Sequence, residues 1–183
     1  MIVILSGTNR PGSNTRKVAA RIHAIYQSLN VPTQLLDLAE LPPELFTPAA
    51  YAAKPAAFSA FTAPLLAADG LVVITPEYNG GVPGILKYFI DMLPFPESFE
   101  HRPVCFIGLA YGMWGALRPV EQLQAIFGYR NAHIFPERVF LPGISKVLNE
   151  AGEFTSPDLE QRLVKQAEGF VGFVERLHAK KLR

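Results

Sequence analysis

Ile2-Val3-Ile4-Leu5-Ser6-Gly7-Thr8-Asn9-Arg10-Pro11-Gly12-Ser13-Asn14-Thr15 lies at the start of the chain, and its reading decides the fold. An unbroken apolar, β-branched run suits a strand buried on both faces. It stops at a loop crowded with glycines, hydroxyls and amides. Beyond the loop, Val18, Ile22, Ile25 and Leu29 recur at helical spacing, with Arg16, Lys17, Arg21 and Gln27 on the other faces. Strand, loop and amphipathic helix form the first half of a βαβ unit, and the alternation continues. Short apolar runs at Gln34 to Leu38, Leu71 to Thr75, Val104 to Leu109 and Ala132 to Phe140 are separated by helical patterns. A last helix is predicted from Ser156-Pro157, a capping residue followed by proline in the first turn, with Leu159, Leu163, Ala167, Phe170, Val174 and Leu177 on one stripe. The pattern predicts an α/β protein built on a five-stranded, doubly wound parallel sheet with right-handed crossovers. Strand order is not contained in it. Residues 1–183 are the size of one domain, and the stretches Leu41 to Pro55 and Leu141 to Thr155 read as surface loops.

The bulk composition excludes several classes of function. A formal net charge of +1 provides no long-range field for nucleic acid or an anionic membrane. Asp69, Glu77, Lys87 and Asp91 interrupt the most apolar region, so no stretch reaches the roughly 20 apolar residues of a membrane helix. The apolar start ends at Ser6-Gly7, too short for a signal peptide, so the expected location is the cytoplasm. Cys105 is the only cysteine, and its setting Val104-Cys105-Phe106-Ile107 reads as a buried core thiol. His23, His101, His133 and His178 are scattered without metal-ligand spacing, and no G-x-S-x-G elbow is present. The basic end Lys180-Lys181-Leu182-Arg183 reads as a solvated terminus.

Ligands of open α/β sheets sit beyond the C-terminal ends of the strands, which directs attention to three loops. The first, Ser6 to Thr15, offers Ser6, Ser13, Asn14 and Thr15 as donors and enters a helix whose N-terminus favours an anion. Arg10 is the cation within it, and its planar fork suits phosphate oxygens; Arg16 is the second choice. Micromolar affinity takes about 8 kcal/mol, against about 1.5–3 for one charge-assisted hydrogen bond, so only a dense cluster of donors holds a phosphate. An ordinary strand-to-helix connection with a Ser/Asn cap would use the same residue types, and remains open at this point. Gly7 and Gly12 have P-loop spacing, but Ser13-Asn14 stands where Lys-Ser/Thr is required. The G-x-G-x-x-G fingerprint is absent, and Asp37 at the end of the second strand is weak support for a ribose site. A monophosphate such as FMN fits best.

The second loop, Pro76-Glu77-Tyr78-Asn79-Gly80-Gly81-Val82-Pro83-Gly84, offers an aromatic plane and close main-chain N–H groups to a flat ring. With Ser-Gly-x-x-Arg-x-x-Ser upstream and Pro-Gly-x-Leu-Lys-x-x-Ile-Asp downstream, the chain resembles the NAD(P)H-dependent FMN reductase family, which includes quinone, azo-dye and chromate reductases. Pro103 to Gly108 is similar to the family's fourth strand as well. The resemblance implies a flavodoxin-like three-layer fold, bound FMN, and NADPH or NADH as reductant. It implies that Ser6, Arg10, Ser13, Asn14 and Thr15 hold the FMN phosphate, and that Pro76, Glu77, Tyr78, Asn79 and Gly80 border the isoalloxazine. Ala110, Tyr111 and Gly112 of the third loop would close on the ring's pyrimidine end.

That third loop departs from the family pattern. Ala110, Met113 and Ala116 replace a serine, an arginine and a glycine, removing a contact to an anionic substrate or a nucleotide phosphate. Tyr111 and Trp114 read either as an aromatic wall for a planar acceptor or, the preferred reading of Trp114, as packing under the next helix. The helix Ile85 to Leu93 is apolar around nearly its whole circumference, so a second subunit is expected to cover it, giving a homodimer or homotetramer. Lys87 and Asp91 pair within that helix or across the interface. The expected activity is ping-pong hydride transfer from NAD(P)H through FMN to a quinone, azo compound, flavin or similar small acceptor, with no protein nucleophile or metal. A flavodoxin-type electron carrier and a catalytically inactive interaction subunit are the alternatives.

Overall fold

The computed structural model describes residues 1–181, with side chains up to Ala179; the reading of the basic end from Lys180 as solvated lies outside the described side chains. Its strands are β1 (Ile2–Ser6), β2 (Thr33–Asp37), β3 (Gly70–Pro76), β4 (Pro103–Leu109), β5 (His133–Ile134) and β6 (Val139–Leu141). The helices are α1 (Asn14–Ser28), α2 (Ser59–Ala67), α3 (Gly84–Met92), α4 (Leu117–Tyr129), α5 (Ile144–Val147) and α6 (Pro157–Lys181). All strand pairs are parallel, in the order β2-β1-β3-β4-β5, with β6 also on β4. This is the flavodoxin-like order, whose direction of winding reverses between β1 and β3.

Period-two alternation makes the three layers. Val3 and Leu5 of β1, with Val73 and Phe106 beside them, face a core shared with α2, α3 and α4. Ile2 and Ile4, with Val72, Ile74, Cys105 and Ile107, face α1 and α6. The stripe read on α6 lands where expected, with Leu163, Ala167, Phe170 and Val174 buried. At Gly7 a Cβ would lie 2.5 Å from the Ile74 carbonyl oxygen, so only glycine follows β1 without displacing β3.

Three readings need correction. The fifth strand is broken in two: Val104 pairs with Ile134 and Ile107 with Val139, so three steps along β4 match five along its partner. Two extra residues are accommodated at Phe135 to Arg138, where Pro136 has no N–H to donate. The break would orphan a central carbonyl. Gln166, buried on α6, fills it, its Nε2 donating to Phe106 O (3.1 Å) and Glu137 O (2.9 Å).

The stretch Leu41 to Pro55 is not merely surface. It carries short 3-10 turns at Pro43–Phe46 and Pro48–Tyr51, and buries Leu41, Leu45 and Ala50. Its aromatic residues lie against α3, where Tyr88 Oη donates to Leu45 O (2.7 Å) and the Phe46 ring centroid lies 5.5 Å from that of Tyr88. Part of the cover assigned to a second subunit is therefore made by the chain itself. Likewise, the stretch from Leu141 contains α5 and buries Ile144 and Leu148. Lys87 Nζ meets both Asp91 carboxylate oxygens at 2.7 Å within α3, an exposed pair contributing a few tenths of a kcal/mol. Among the described residues no helix is long and apolar enough to cross a membrane.

Candidate functional site

The reversal between β1 and β3 separates the loops that leave them and opens a crevice at their C-terminal ends. On one wall, Ser13 caps α1 in extended conformation, and its Oγ accepts from Arg16 N (3.2 Å). The first turn holds no acidic residue, so nothing in it offsets the positive end of the helix. The N–H groups of Asn14 and Thr15 meet no acceptor among the described residues. Gly12, at φ +64, gives the loop its turn into the helix. Arg10 borders the crevice and has no side-chain partner among the described residues. Arg16 is committed elsewhere, its Nε 3.0 Å from Asp37 Oδ2, and the same carboxylate accepts from Ala39 N (3.2 Å). Neither Arg16 nor Asp37 therefore lines the site.

The opposite wall is a tight turn. Tyr78 and Gly81 exchange both backbone hydrogen bonds (3.1 and 3.0 Å) around Asn79 and Gly80, whose φ values of 52° and 77° are both left-handed. Tyr78 Oη lies 2.8 Å from Thr8 Oγ1, which also accepts from Arg10 N at 3.3 Å. Thr8 is fully buried, so one hydroxyl ties the first loop to the second. From outside, α4 braces the turn: Arg118 Nη1 lies 3.3 Å from Glu77 Oε1, and Gln122 Oε1 accepts from Val82 N (2.9 Å).

The third loop closes the far side. Ala110 N donates to Leu141 O (3.2 Å), Ile144 N to Ala110 O (3.0 Å) and Gly143 N to Gly112 O (3.3 Å), so the loop is anchored to the segment after β6. Gly115 and Ala116 are successive left-handed residues, φ 56° and 70°, that swing the chain into α4. A Cβ at Gly108 would meet the Gly115 carbonyl oxygen at 2.5 Å, which sets how closely the loop lies on β4. Trp114 is not packed under the following helix: it is 54% exposed, beside Tyr111 at 68% and Met113 at 78%. The short loop turns these side chains outward before α4 begins.

Between the loops lies an open cavity of about 160 Å³ that residues of all three loops line. Of the residues singled out in the sequence it gathers Arg10, Ser13, Asn14 and Thr15 on one wall and Pro76, Glu77 and Tyr78 on the other, with Ala110 and Tyr111 closing it. Ser6, Asn79, Gly80 and Gly112 are not on its lining. Ser6 faces the α1 layer below the loop, where its hydroxyl is fully buried without a hydrogen-bond partner. Asn79 and Gly80 form the tip of their turn, and Gly112 O is taken up by Gly115 and Gly143. Leu109 and Ile144 add apolar lining that the sequence reading missed. Thr8 was legible only as one hydroxyl among many, and Arg118 lies just past the loop whose missing arginine drew attention. Cys105 takes no part: it is buried in the core, and burial, then the Glu137 charge, pushes its thiol pKa well up.

Residues 1–145 match the protein family described as NADPH-dependent FMN reductase. The chain is 31% identical over 172 residues to an NADPH azoreductase of Bacillus sp. (strain OY1-2), covering 93% of this chain and 92% of that protein. It is 29% identical over 180 residues to a quinone reductase of Escherichia coli (strain K12), covering 96% of each. Among solved structures it is similar to FerB, a flavoenzyme NAD(P)H:(acceptor) oxidoreductase from Paracoccus denitrificans. The TM-score is 0.80 at 22% identity, over 96% of this chain and 97% of that one.

Proposed function

The chain belongs to the NADPH-dependent FMN reductase family, and from that premise we propose that it is an FMN-dependent NAD(P)H oxidoreductase whose flavin lies in the cavity between the three loops. One observation carries the placement. The unpaired N–H groups of Asn14 and Thr15, the uncancelled end of α1 and the free Arg10 border the same cavity as the rings of Tyr78 and Tyr111. Donors for an anion and aromatic planes for a flat ring in one cavity match a ligand that carries both, so the donor set fits the group.

Arg10, Ser13, Asn14 and Thr15 would hold the phosphate, with Arg10 and the N–H groups giving charge-assisted bonds. Pro76, Glu77 and Tyr78 would border one side of the ring, and Ala110 and Tyr111 its end. The Thr8–Tyr78 hydrogen bond keeps these two subsites at a fixed separation. Bound there, FMN supplies two-electron chemistry, accepting hydride from NAD(P)H and passing reducing equivalents to an oxidant. The protein's contribution is orientation and exclusion of water. Leu109 and Ile144 line the cavity with carbon, and no side-chain acid is required. The acceptor is a small oxidant of the quinone, azo or flavin type, reached in the cytoplasm by a homodimer or homotetramer.

Arg10→Ala tests the placement. Losing one charge-assisted bond is expected to weaken FMN binding about tenfold or more, read by quenching of flavin fluorescence on titration into apoprotein. Unchanged affinity moves the phosphate elsewhere. Anaerobic mixing of the yellow protein with NADPH or NADH is expected to bleach it, and failure to bleach with either refutes the activity.

A further inference from the structure

Among the described residues Glu77 is the only carboxylate on the cavity lining, and Arg10, on the opposite wall, is the only cation. A carboxylate facing a site for anionic ligands repels them unless it is compensated. The third loop, Ala110 to Ala116, carries no charge that would do so. Compensation comes from Arg118, whose Nη1 lies 3.3 Å from Glu77 Oε1.

The position of Arg118 is not explained by folding. It occupies the first turn of α4, where the helix dipole disfavours a cation and no acidic residue offsets it. Its side chain is 56% exposed, so the pair contributes little to stability. The cation therefore stands where the helix gains least from it and where the cavity gains most. One turn on, Gln122 holds Val82 N, so this edge of α4 grips the second loop at both ends and keeps the guanidinium over Glu77.

We propose that Arg118 is a positioning and specificity residue: by pairing with Glu77 it cancels the one negative charge on the cavity wall and admits an anionic nucleotide reductant. The inference rests on the oxidoreductase reading above. With Arg118 intact, the charge balance at the mouth is one net positive, from Arg10; without it, Arg10 and Glu77 leave none.

Four proteins test the proposal: Arg118→Gln, Arg118→Lys, Glu77→Gln and the double variant Arg118→Gln/Glu77→Gln. At about 10 mM salt, where screening extends only beyond about 30 Å, Arg118→Gln is expected to raise the KM for NAD(P)H about five- to tenfold and the Kd of apoprotein for FMN about threefold. In about 1 M salt, with a screening length near 3 Å, both effects shrink below about twofold. Arg118→Lys restores both values, and the double variant binds both anions better than Arg118→Gln alone because no lone carboxylate remains. Glu77→Gln by itself leaves both Arg10 and Arg118 uncompensated and is expected to lower the KM for NAD(P)H about two- to threefold at about 10 mM salt and not in about 1 M salt; it carries the test should Arg118→Gln fold poorly. A loss that is independent of salt, or that the double variant and the lysine do not relieve, assigns Arg118 a merely structural role and overturns the proposal, as does an Arg118→Gln protein indistinguishable from the parent. If the parent takes up no FMN, the functional reading fails first and this proposal with it; if the parent binds FMN and the variants all match it, only this proposal fails.

Discussion

Replacing Gln166 by leucine isolates the device that lets the sheet tolerate its broken edge. The side chain keeps a similar volume, but the amide that donates to Phe106 O and Glu137 O is lost. Phe106 is fully buried in the central region of the sheet, and Gln166 is 4% exposed, so water does not take over. An unsatisfied buried carbonyl costs about 1–3 kcal/mol. Glu137 is an exposed residue whose carbonyl recruits water, so its share is the net value of one hydrogen bond, about 0.5–1.5 kcal/mol. The sum is about 1.5–4.5 kcal/mol, or about 3–18 °C in Tm for a chain of this size. Urea unfolding gives the first number and a thermal melt the second. Gln161→Leu, on the exposed side of α6, serves as the control and is expected to stay within about 0.5 kcal/mol of the parent. A Gln166→Leu protein that matches this control would refute the reasoning, because it would mean that the sheet supplies another donor across the break.

Two further outcomes are expected. Thr8→Val removes the hydroxyl shared by Tyr78 and Arg10 N while keeping its shape, and is expected to weaken FMN binding several-fold with a stability loss of about 1 kcal/mol; equal affinity in a fluorescence titration would mean that the two loops are held together by other contacts. The Cys105 thiol, raised by burial, is expected to resist alkylation in the native protein even at about pH 9, where a free thiol is mostly ionised, and to react on unfolding. The folded state keeps this proton longer than the unfolded chain does, so the stability it contributes is complete below about pH 8.5 and falls as the pH rises through and beyond that value; flat stability from pH 8 to 10, or fast native labelling, contradicts the assignment.

The alternation of strands and helices was legible because buried parallel strands leave unbroken apolar runs, and amphipathic helices leave a stripe. The loop positions followed from it, since the same residues that end each run open the next helix. Strand order was not legible, because any order of these parallel strands buries the same runs. The broken fifth strand was hidden within an apolar run, Ala132 to Phe140, in which Pro136 was the one warning. Gln166 gave a signal of its own, a polar residue inside the stripe Leu163, Ala167, Phe170, yet its partner carbonyls lie some 30 and 60 residues away. Leu41, Leu45 and Ala50 were unreadable as core because 3-10 turns have no apolar period to detect. In the site, residue types that bind through side chains were found, whereas ion pairs across the fold, such as Arg118 with Glu77 and Arg16 with Asp37, depend on the winding of the sheet.

The interruption at Phe135 to Arg138 also affects how separate molecules meet. This side of the sheet ends in two fragments, of two and three residues, with a proline between them. A long straight border would present a row of free amides and carbonyls on which a neighbouring molecule's strand would align and start an aggregate. Fragments this short, with Glu137 and Arg138 exposed at the break between them, give a foreign strand too little to hold.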